Sequence, residues 1–166
     1  MQIKVPRETF CRAARLNDAD LFWPILRKHD QREILAYCET LDAGVRESIA
    51  ASSSTGACWA GFHGGRPVMV YGCLPIAESV LGGKVGRIWG LSTLYMDVTP
   101  GARMATAKVS KMFVEEMRQI YDRLENEVLA EYADSVRWLE WLGFFVDREH
   151  PVCRKGETFW PFWWEK

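Results

Sequence analysis

The residues best suited to chemistry lie in residues 99–111, where the sequence reads TPGARMATAKVSK. Arg103 and Lys108 enclose one long and three small side chains, which belong to Met104, Ala105, Thr106 and Ala107. Unpaired amides at the start of a helix, with the positive end of the helix dipole, bind phosphate when no bulky side chain blocks them. The segment therefore predicts a phosphate-binding helix start. The alternative is an ordinary helix that Thr99 or Thr106 caps, with solvated cations.

Spacing argues against three other kinds of site. His29, His63 and His150 stand far apart, without the spacing of a metal centre. The five cysteines form no CxxC pair, and Cys58 and Cys73 are expected to be small buried apolar residues rather than nucleophiles. The glycine pairs lack the spacing of a phosphate-binding P-loop. We therefore predict no metal site and no cysteine nucleophile.

The elements that must position the segment alternate between strands and helices. The run at 88–98 is almost continuously apolar, as is typical of a buried central strand, and apolar residues recur every three or four positions over 105–124, which predicts a long helix. The full order is a strand near 3–9, short helices, a hairpin at Gly64 and Gly65, the strand at 88–98, the long helix, a strand at 126–131, a helix that Gly143 ends, and two last strands. This pattern predicts an α/β fold in one domain over 1–166, with a mixed sheet of about 6–7 strands flanked by helices.

The bulk composition gives no reason to expect a nucleic-acid or membrane partner. The 166 residues carry a formal net charge of −1 and are 48% hydrophobic. No apolar run approaches the roughly 20 residues that span a bilayer, and residues 1–10 lack the apolar core of a signal peptide. We therefore expect a cytoplasmic protein with reduced thiols.

The order of elements, with a helix that ends at Gly143 and Phe144 and runs into a strand, resembles the GNAT superfamily of acyl-CoA-dependent N-acetyltransferases. The sequence is more narrowly similar to the small GNAT-like proteins of tailed bacteriophages, a group that includes the internal virion protein A of short-tailed phages. The similarity covers about residues 58–146. It depends on three blocks, which are IWGLST at 88–93, Leu124-x-Asn126-x-Val128, and RWLEWLGF at 137–144.

The resemblance implies a cofactor site. In the superfamily two neighbouring strands splay apart to admit the cofactor, and a glycine-rich loop before the long helix holds its pyrophosphate. The resemblance therefore implies acetyl-CoA, with its pantetheine amides paired to the backbone of Met96 and Val98 and its pyrophosphate held by 103–108. This chain departs from the family pattern because the loop glycines are absent from 103–108.

The resemblance also implies two catalytic residues. Asp97 lies near where the acyl group arrives in the family, so it is expected to be the base that takes a proton from an amine. Tyr132 replaces the family's Asn and is expected to act as the acid. Leu139 stands where the family has a tyrosine, and it cannot donate a proton.

Two functions remain open from the sequence. One is an acetyl-CoA-dependent N-acetyltransferase that acts on an amine, such as an amine of a protein substrate. The other is a catalytically inactive GNAT-fold protein, either an internal virion protein or one that interacts with a host protein. Both imply the cytoplasm of an infected bacterium, and the second also implies packaging in the virion.

The tail ETFWPFWWEK, residues 157–166, predicts a strand with aromatic side chains on both faces. Such a strand either lies in the centre of a sheet or covers a partner at its edge. GNAT-like proteins often dimerise through this strand, so a homodimer is the second interpretation.

Overall fold

The computed structural model describes residues 8–55, 57–78 and 82–166. The first half of the chain contains β1 (Thr9–Ala13), α1 (Ala19–Phe22), α2 (Lys28–Leu35), α3 (Leu41–Ser53), β2 (Cys58–His63) and β3 (Arg66–Glu78). The second half contains β4 (Lys84–Ser92), α4 (Tyr95–Val98), α5 (Ala102–Ile120), β5 (Arg123–Leu129), α6 (Ala133–Trp141), β6 (Phe145–Val146), β7 (Val152–Arg154) and β8 (Glu157–Glu165). The strand predicted near 3–9 lies mostly outside the described residues.

The strands form one mixed sheet in the order β1-β2-β3-β4-β5-β8-β6, and β7 also pairs with β8. Among the strands of the described residues, only β4 and β5 run parallel, whereas the other pairs are antiparallel. The predicted mixed sheet is confirmed. It has eight strands in the described residues rather than about 6–7, because β7 forms a separate hairpin arm before the turn at Lys155 and Gly156.

Helices cover both faces of the sheet. On one face α5 buries Phe113, Val114 and Met117, each at most 6% exposed, as its three-to-four-residue spacing predicts. On the other face α1 and α3 bury Phe22 and Val45 against β2 and β3. Each such side chain contributes about 1.5–3 kcal/mol by leaving water. The sheet is therefore the middle of three layers, and its central strands are held rigidly.

Glycine ends two of the elements as the sequence predicts. Gly64 and Gly65 form the β2–β3 hairpin with φ of 57° and 74°, and Gly143 follows α6 with φ of 91°. These left-handed conformations cost other residues more than glycine.

The strand predicted over 88–98 is wrong beyond Ser92. The Oγ1 of Thr93 donates to the Pro67 carbonyl at 2.7 Å and accepts from the Tyr95 amide at 3.2 Å, which turns the chain into the short helix α4. An apolar run fits a buried strand and a buried helical turn equally well, so its composition does not show where the strand ends.

The aromatic strand β8 is central. It pairs with β5 along one edge and with β6 and β7 along the other, which confirms the first interpretation of the tail. Arginine side chains lie over its tryptophan rings at 4.9–5.1 Å, in the pairs Arg148–Trp160, Arg123–Trp163 and Arg118–Trp164. The backbone of β8 is therefore occupied within the chain, and a homodimer through this strand stays a prediction.

No helix in the described ranges is both long enough and apolar enough to cross a membrane.

Candidate functional site

Strands β4 and β5 pair over three residues only and then separate. The paired residues are 85–87 of β4 and 123–125 of β5. At the point of separation the Nδ2 of Asn126 donates to the Ile88 carbonyl at 2.8 Å, and its Oδ1 accepts from the Glu127 amide at 2.8 Å. The side chain of Asn126 thus takes the place of the next interstrand hydrogen bonds. The predicted splayed strand pair is confirmed, and we call the gap between 88–92 of β4 and 126–129 of β5 the wedge.

A cavity of about 750 Å³ passes through the wedge. It is lined on one face of the sheet by α2 and α3, through residues such as Ile34 and Ser48, and on the other face by α5 and α6. The lining residues on the second face include Ser110, Phe113, Trp138 and Leu139. This volume lies in the range of small-molecule and cofactor sites. The cavity therefore offers two approaches, one from each face, to the gap between the strands.

The free edge of β4 faces this cavity. Leu91 is paired with Val70 of β3, and the Thr93 amide donates to the Val68 carbonyl at 2.9 Å. Because alternate residues of a strand direct their backbone groups to opposite neighbours, Gly90 and Ser92 direct theirs toward the wedge. Arg27 and Asp30 bind the backbone groups of Ser92, so the edge of β4 can hydrogen-bond a ligand that carries amides at Gly90.

Helix α2 crosses the wedge and contacts both strands. On the β4 side the Arg27 amide donates to the Ser92 carbonyl at 3.0 Å, and the Asp30 carboxylate accepts from the Ser92 amide. On the β5 side Glu33 Oε1 accepts from the Leu129 amide at 3.0 Å. Residues three apart lie on one helix face, so one turn of α2 supplies a carboxylate to each strand.

Burial controls the charge of these groups. It raises the pKa of Glu33 to about 8, and the neighbouring Asp30 adds to the shift. Burial also raises the pKa of Asp30 to about 6, although Arg27 Nε lies 3.2 Å from Asp30 Oδ2 and opposes the shift. Burial lowers the pKa of the adjacent His29 to about 4. Near neutral pH the imidazole is therefore neutral, and Glu33 can gain or lose a proton.

Comparison with solved structures identifies this architecture. The chain matches a ribosomal-protein-alanine N-acetyltransferase from Brucella melitensis with a TM-score of 0.69 at 16% identity, over 95% of this chain and 99% of that one. It matches Ard1 from Thermoplasma volcanium with a TM-score of 0.68 at 12% identity, over 95% and 97%. The fold is that of the GNAT acetyltransferases. A scan against protein-family models finds no match, and neither does a comparison with curated proteins.

One further GNAT-fold structure contains the cofactor. The protein yncA from Salmonella typhimurium, solved with acetyl-CoA, matches with a TM-score of 0.63 at 12% identity, over 96% of this chain and 94% of that one. At these identities the likeness establishes the fold alone.

The two residues predicted to be catalytic lie outside the cavity wall. Asp97 is exposed on α4, where its Oδ1 accepts from Arg103 Nη2 at 2.6 Å. Tyr132 precedes α6, and its ring packs on His29 with 3.6 Å between centroids. Neither residue lines the wedge in the described part of the chain. The assignment of base and acid to this pair therefore stays a prediction that the geometry does not favour.

The predicted pantetheine contacts need a different location. The Met96 amide donates to the Thr93 carbonyl at 3.0 Å within the turn that forms α4, and Val98 is exposed at the end of α4. An extended backbone at Met96 and Val98, as the sequence predicted, is therefore absent. In the GNAT fold observed here, the extended edge that faces the wedge is at Gly90.

The predicted phosphate segment overlaps the start of helix α5. Helix α5 begins at Ala102 after Gly101, whose φ is 78°, and the Ala105 amide donates to the Gly101 carbonyl at 3.0 Å. The amides of Ala105, Thr106, Ala107 and Lys108 consequently lie inside the helix ladder. The open amides of the first turn belong to Arg103 and Met104, the first two residues of the predicted segment 103–108, so a phosphate site would use the start of that segment alone.

Several residues of the wedge were not predicted from the sequence, namely Asp30, Glu33, Gly90, Ser92 and Asn126. Asn126 was part of a recognised block, but its bridging role depends on the strand separation. The one sequence feature that indicates Asp30 and Glu33 is their spacing, because two acidic residues three apart lie on one face of a helix.

Proposed function

We propose that the protein is an acyl-CoA-dependent N-acyltransferase that uses acetyl-CoA to modify an amine. The wedge carries this proposal, because it is a cavity through the sheet that two reactants can enter from opposite faces. The acetyl-CoA thioester would occupy the face of the sheet that α5 and α6 cover, and the acceptor amine would enter on the face that α2 and α3 cover. The GNAT fold supports the reaction class, and the site residues support the way in which the chain would carry it out.

The residues present fit a CoA-type cofactor. Gly90 offers the strand edge that pantetheine amides require, and Trp138 and Leu139 provide an apolar wall on the same side. The first-turn amides of Arg103 and Met104, with the left-handed Gly101 before them, are suited to a pyrophosphate. Bound there, the cofactor supplies an activated acyl group as a thioester.

The chain's own residues would position the reactants. Gly90 would orient an acyl arm along β4, and Asn126 keeps the wedge open by satisfying Ile88 and Glu127. Phe113, Trp138 and Leu139 would exclude water from the reacting end. These roles need no side chain to move far, because the cavity already passes between the two strands.

Calorimetric titration with acetyl-CoA tests the proposal. A micromolar dissociation constant, which corresponds to about −8 kcal/mol, is expected. Arg103→Glu places a negative charge beside the first-turn amides and should weaken binding at least tenfold. Lys111→Glu makes the same charge change two turns along α5 and should change affinity by less than threefold. No heat at millimolar acetyl-CoA would refute the proposal.

A second function, a GNAT-fold protein without catalysis, is favoured by one observation. The carboxylates of Asp30 and Glu33 already bind the Ser92 and Leu129 amides, so α2 partly fills the acceptor side of the wedge. Under this proposal the chain is an internal virion or host-interaction protein of a tailed phage, as the resemblance of RWLEWLGF to such proteins supports. Its expected results are no acetyl-CoA binding and recovery of the protein from purified phage particles.

A further inference from the structure

Within the described part of the chain, Glu33 lacks the arginine partner that three other carboxylates of the cavity wall have. In the described residues no arginine, lysine or histidine lies within ion-pair distance of it, and its only hydrogen bond is the one from the Leu129 amide to Oε1. Three other carboxylates of the wall are neutralised by arginine, in the pairs Asp30–Arg27 at 3.2 Å, Glu125–Arg123 at 2.6 Å and Glu127–Arg154 at 2.7 Å. Glu33 is therefore available to a cation that enters the cavity.

We propose that Glu33 is the catalytic residue that takes the proton from the acceptor's ammonium group. This role depends on the proposed N-acyl transfer. The acceptor would be a primary amine that enters the cavity along α2 and α3. Oε1 is fixed by the Leu129 amide, which leaves Oε2 without a hydrogen-bond partner in the described structure. Glu33 also lines the cavity beside β5, on the face opposite α5 and α6.

The proton step is balanced without any other reactant. One N–H bond of the ammonium breaks, and its electron pair stays on nitrogen as the lone pair of a neutral amine. One O–H bond forms on Glu33 Oε2, so the carboxylate becomes a neutral acid. The proton later passes to water, which reaches the cavity from the α2–α3 side.

The surrounding charges suit this role. A base works best when its pKa lies near the operating pH, and burial together with Asp30 places that of Glu33 at about 8. Arg27 acts in the opposite direction. The other charged groups that line the same cavity are Glu47 of α3, Arg87 of β4, Glu125 and Glu127 of β5, Arg123, and Arg154 of β7.

Asp97 is less suited to the role than Glu33. Its carboxylate is 40% exposed and bound to Arg103, and it lies outside the cavity wall. Arg103 occupies the carboxylate of Asp97, whereas Glu33 has no such ion-pair partner among the described residues. The two candidates can therefore be separated by matched substitutions.

The test measures acetylation of n-butylamine by the whole chain, followed by release of the CoA thiol. Glu33→Gln keeps the size of the side chain and an oxygen for the Leu129 amide, and it should lower kcat/KM by about 10²–10⁴-fold. Glu47→Gln removes another carboxylate of the same cavity, and Asp97→Asn removes the competing base; both should stay within threefold of the wild type. Acetyl-CoA affinity of Glu33→Gln, measured by calorimetry, should stay within twofold.

A second measurement reads the proton directly. In carbon-13 NMR of the carboxyl groups, the resonance missing from Glu33→Gln should titrate near pH 8 in the wild type and move to lower pH when n-butylamine is added. When kcat/KM is plotted against pH, Asp30→Asn should move the rise on the acidic side to lower pH, because Asp30 raises the pKa of Glu33.

The outcomes separate the two proposals. A wild-type protein that neither binds acetyl-CoA nor acetylates the amine refutes the proposed function, and this inference with it. An active wild type whose Glu33→Gln variant keeps more than a third of kcat/KM, or whose Glu33 carboxyl titrates near pH 4.5, refutes only the role of Glu33.

Discussion

Replacing Glu33 by Gln should change how stability depends on pH. The pKa of Glu33 rises from 4.5 to about 8 on folding, because burial and Asp30 disfavour the charged form. The folded state therefore holds one more proton than the unfolded state between these two values. By linkage, this favourable contribution is complete below pH 4.5 and is lost as the pH rises toward 8.

The size of the effect follows from the shift. Each pKa unit corresponds to about 1.36 kcal/mol, so the full shift corresponds to roughly 5 kcal/mol. Solvent that enters the cavity screens part of this, and we expect a loss of at least about 2 kcal/mol between pH 5 and pH 9. Glu33→Gln cannot lose a proton, so its curve should lack that loss.

Urea unfolding at intervals of one pH unit measures this difference. The free energy of unfolding of the wild type should fall steadily above pH 5 relative to that of Glu33→Gln. Between pH 5 and pH 9 the wild type should therefore lose more stability than the variant. Glu47→Gln, a second carboxylate of the cavity, serves as the control and should follow the wild type. Parallel curves for the wild type and Glu33→Gln would refute the reasoning about burial.

Three further predictions follow from the structure. Asn126→Ala should lower the free energy of unfolding by about 1–3 kcal/mol, measured by urea unfolding, because the Ile88 carbonyl and Glu127 amide lose their partner; an unchanged midpoint would contradict the bridging role. Burial lowers the pKa of His29 to about 4, so the stability it contributes is present above pH 6.5 and is lost as the pH falls toward 4; His29→Gln should remove that acid-dependent part of an unfolding series. Gly143→Ala, at φ of 91°, should lower the free energy of unfolding by about 1–2 kcal/mol through backbone strain, and by more because the added Cβ would lie 2.9 Å from Arg118 Nη2. Gly156→Ala, at φ of 81°, has similar strain and no atom within 4 Å of the added Cβ. Equal losses of stability in thermal unfolding of the two variants would exclude a cost from the Arg118 contact.

Local patterns predicted the elements whose causes are local. The spacing of Phe113, Val114 and Met117 predicts a helix with one buried face, and Gly143 predicts where α6 ends. The hairpin at Gly64 and Gly65 needs only two residues that accept positive φ. In each case the sequence contains the whole physical cause within a few positions.

The errors arose where the cause is distant. Thr93 ends β4 by bonding Pro67, which lies 26 positions away, so the apolar run 88–98 gives no warning of the turn. The start of α5 depends on Gly101, which leaves the amides of Arg103 and Met104 open and places those of residues 105–108 inside the helix. The roles of Asp30 and Glu33 depend on which amides the separated strands leave open, and that separation is a property of the sheet.

The resemblance to GNAT proteins predicted the splayed strands, and it placed the catalytic candidates at Asp97 and Tyr132, which follow β4 and β5 in the chain. Neither of these residues is among the described residues that line the cavity. The structure brings α2 across the wedge, where Asp30 and Glu33 contact the two strands. The resemblance to a known fold therefore indicated where the cavity lies, whereas the candidate base was found from the hydrogen bonds and ion pairs of this chain.

Backbone amide NMR of the wild type during titration with acetyl-CoA tests most directly whether the wedge between β4 and β5 holds the acyl-CoA cofactor. We expect saturable shifts for the Gly90 amide and for the first-turn amides of Arg103 and Met104, with the far edge of the sheet at β1 unaffected. Saturable binding that shifts amides elsewhere and leaves Gly90 unchanged would contradict that location.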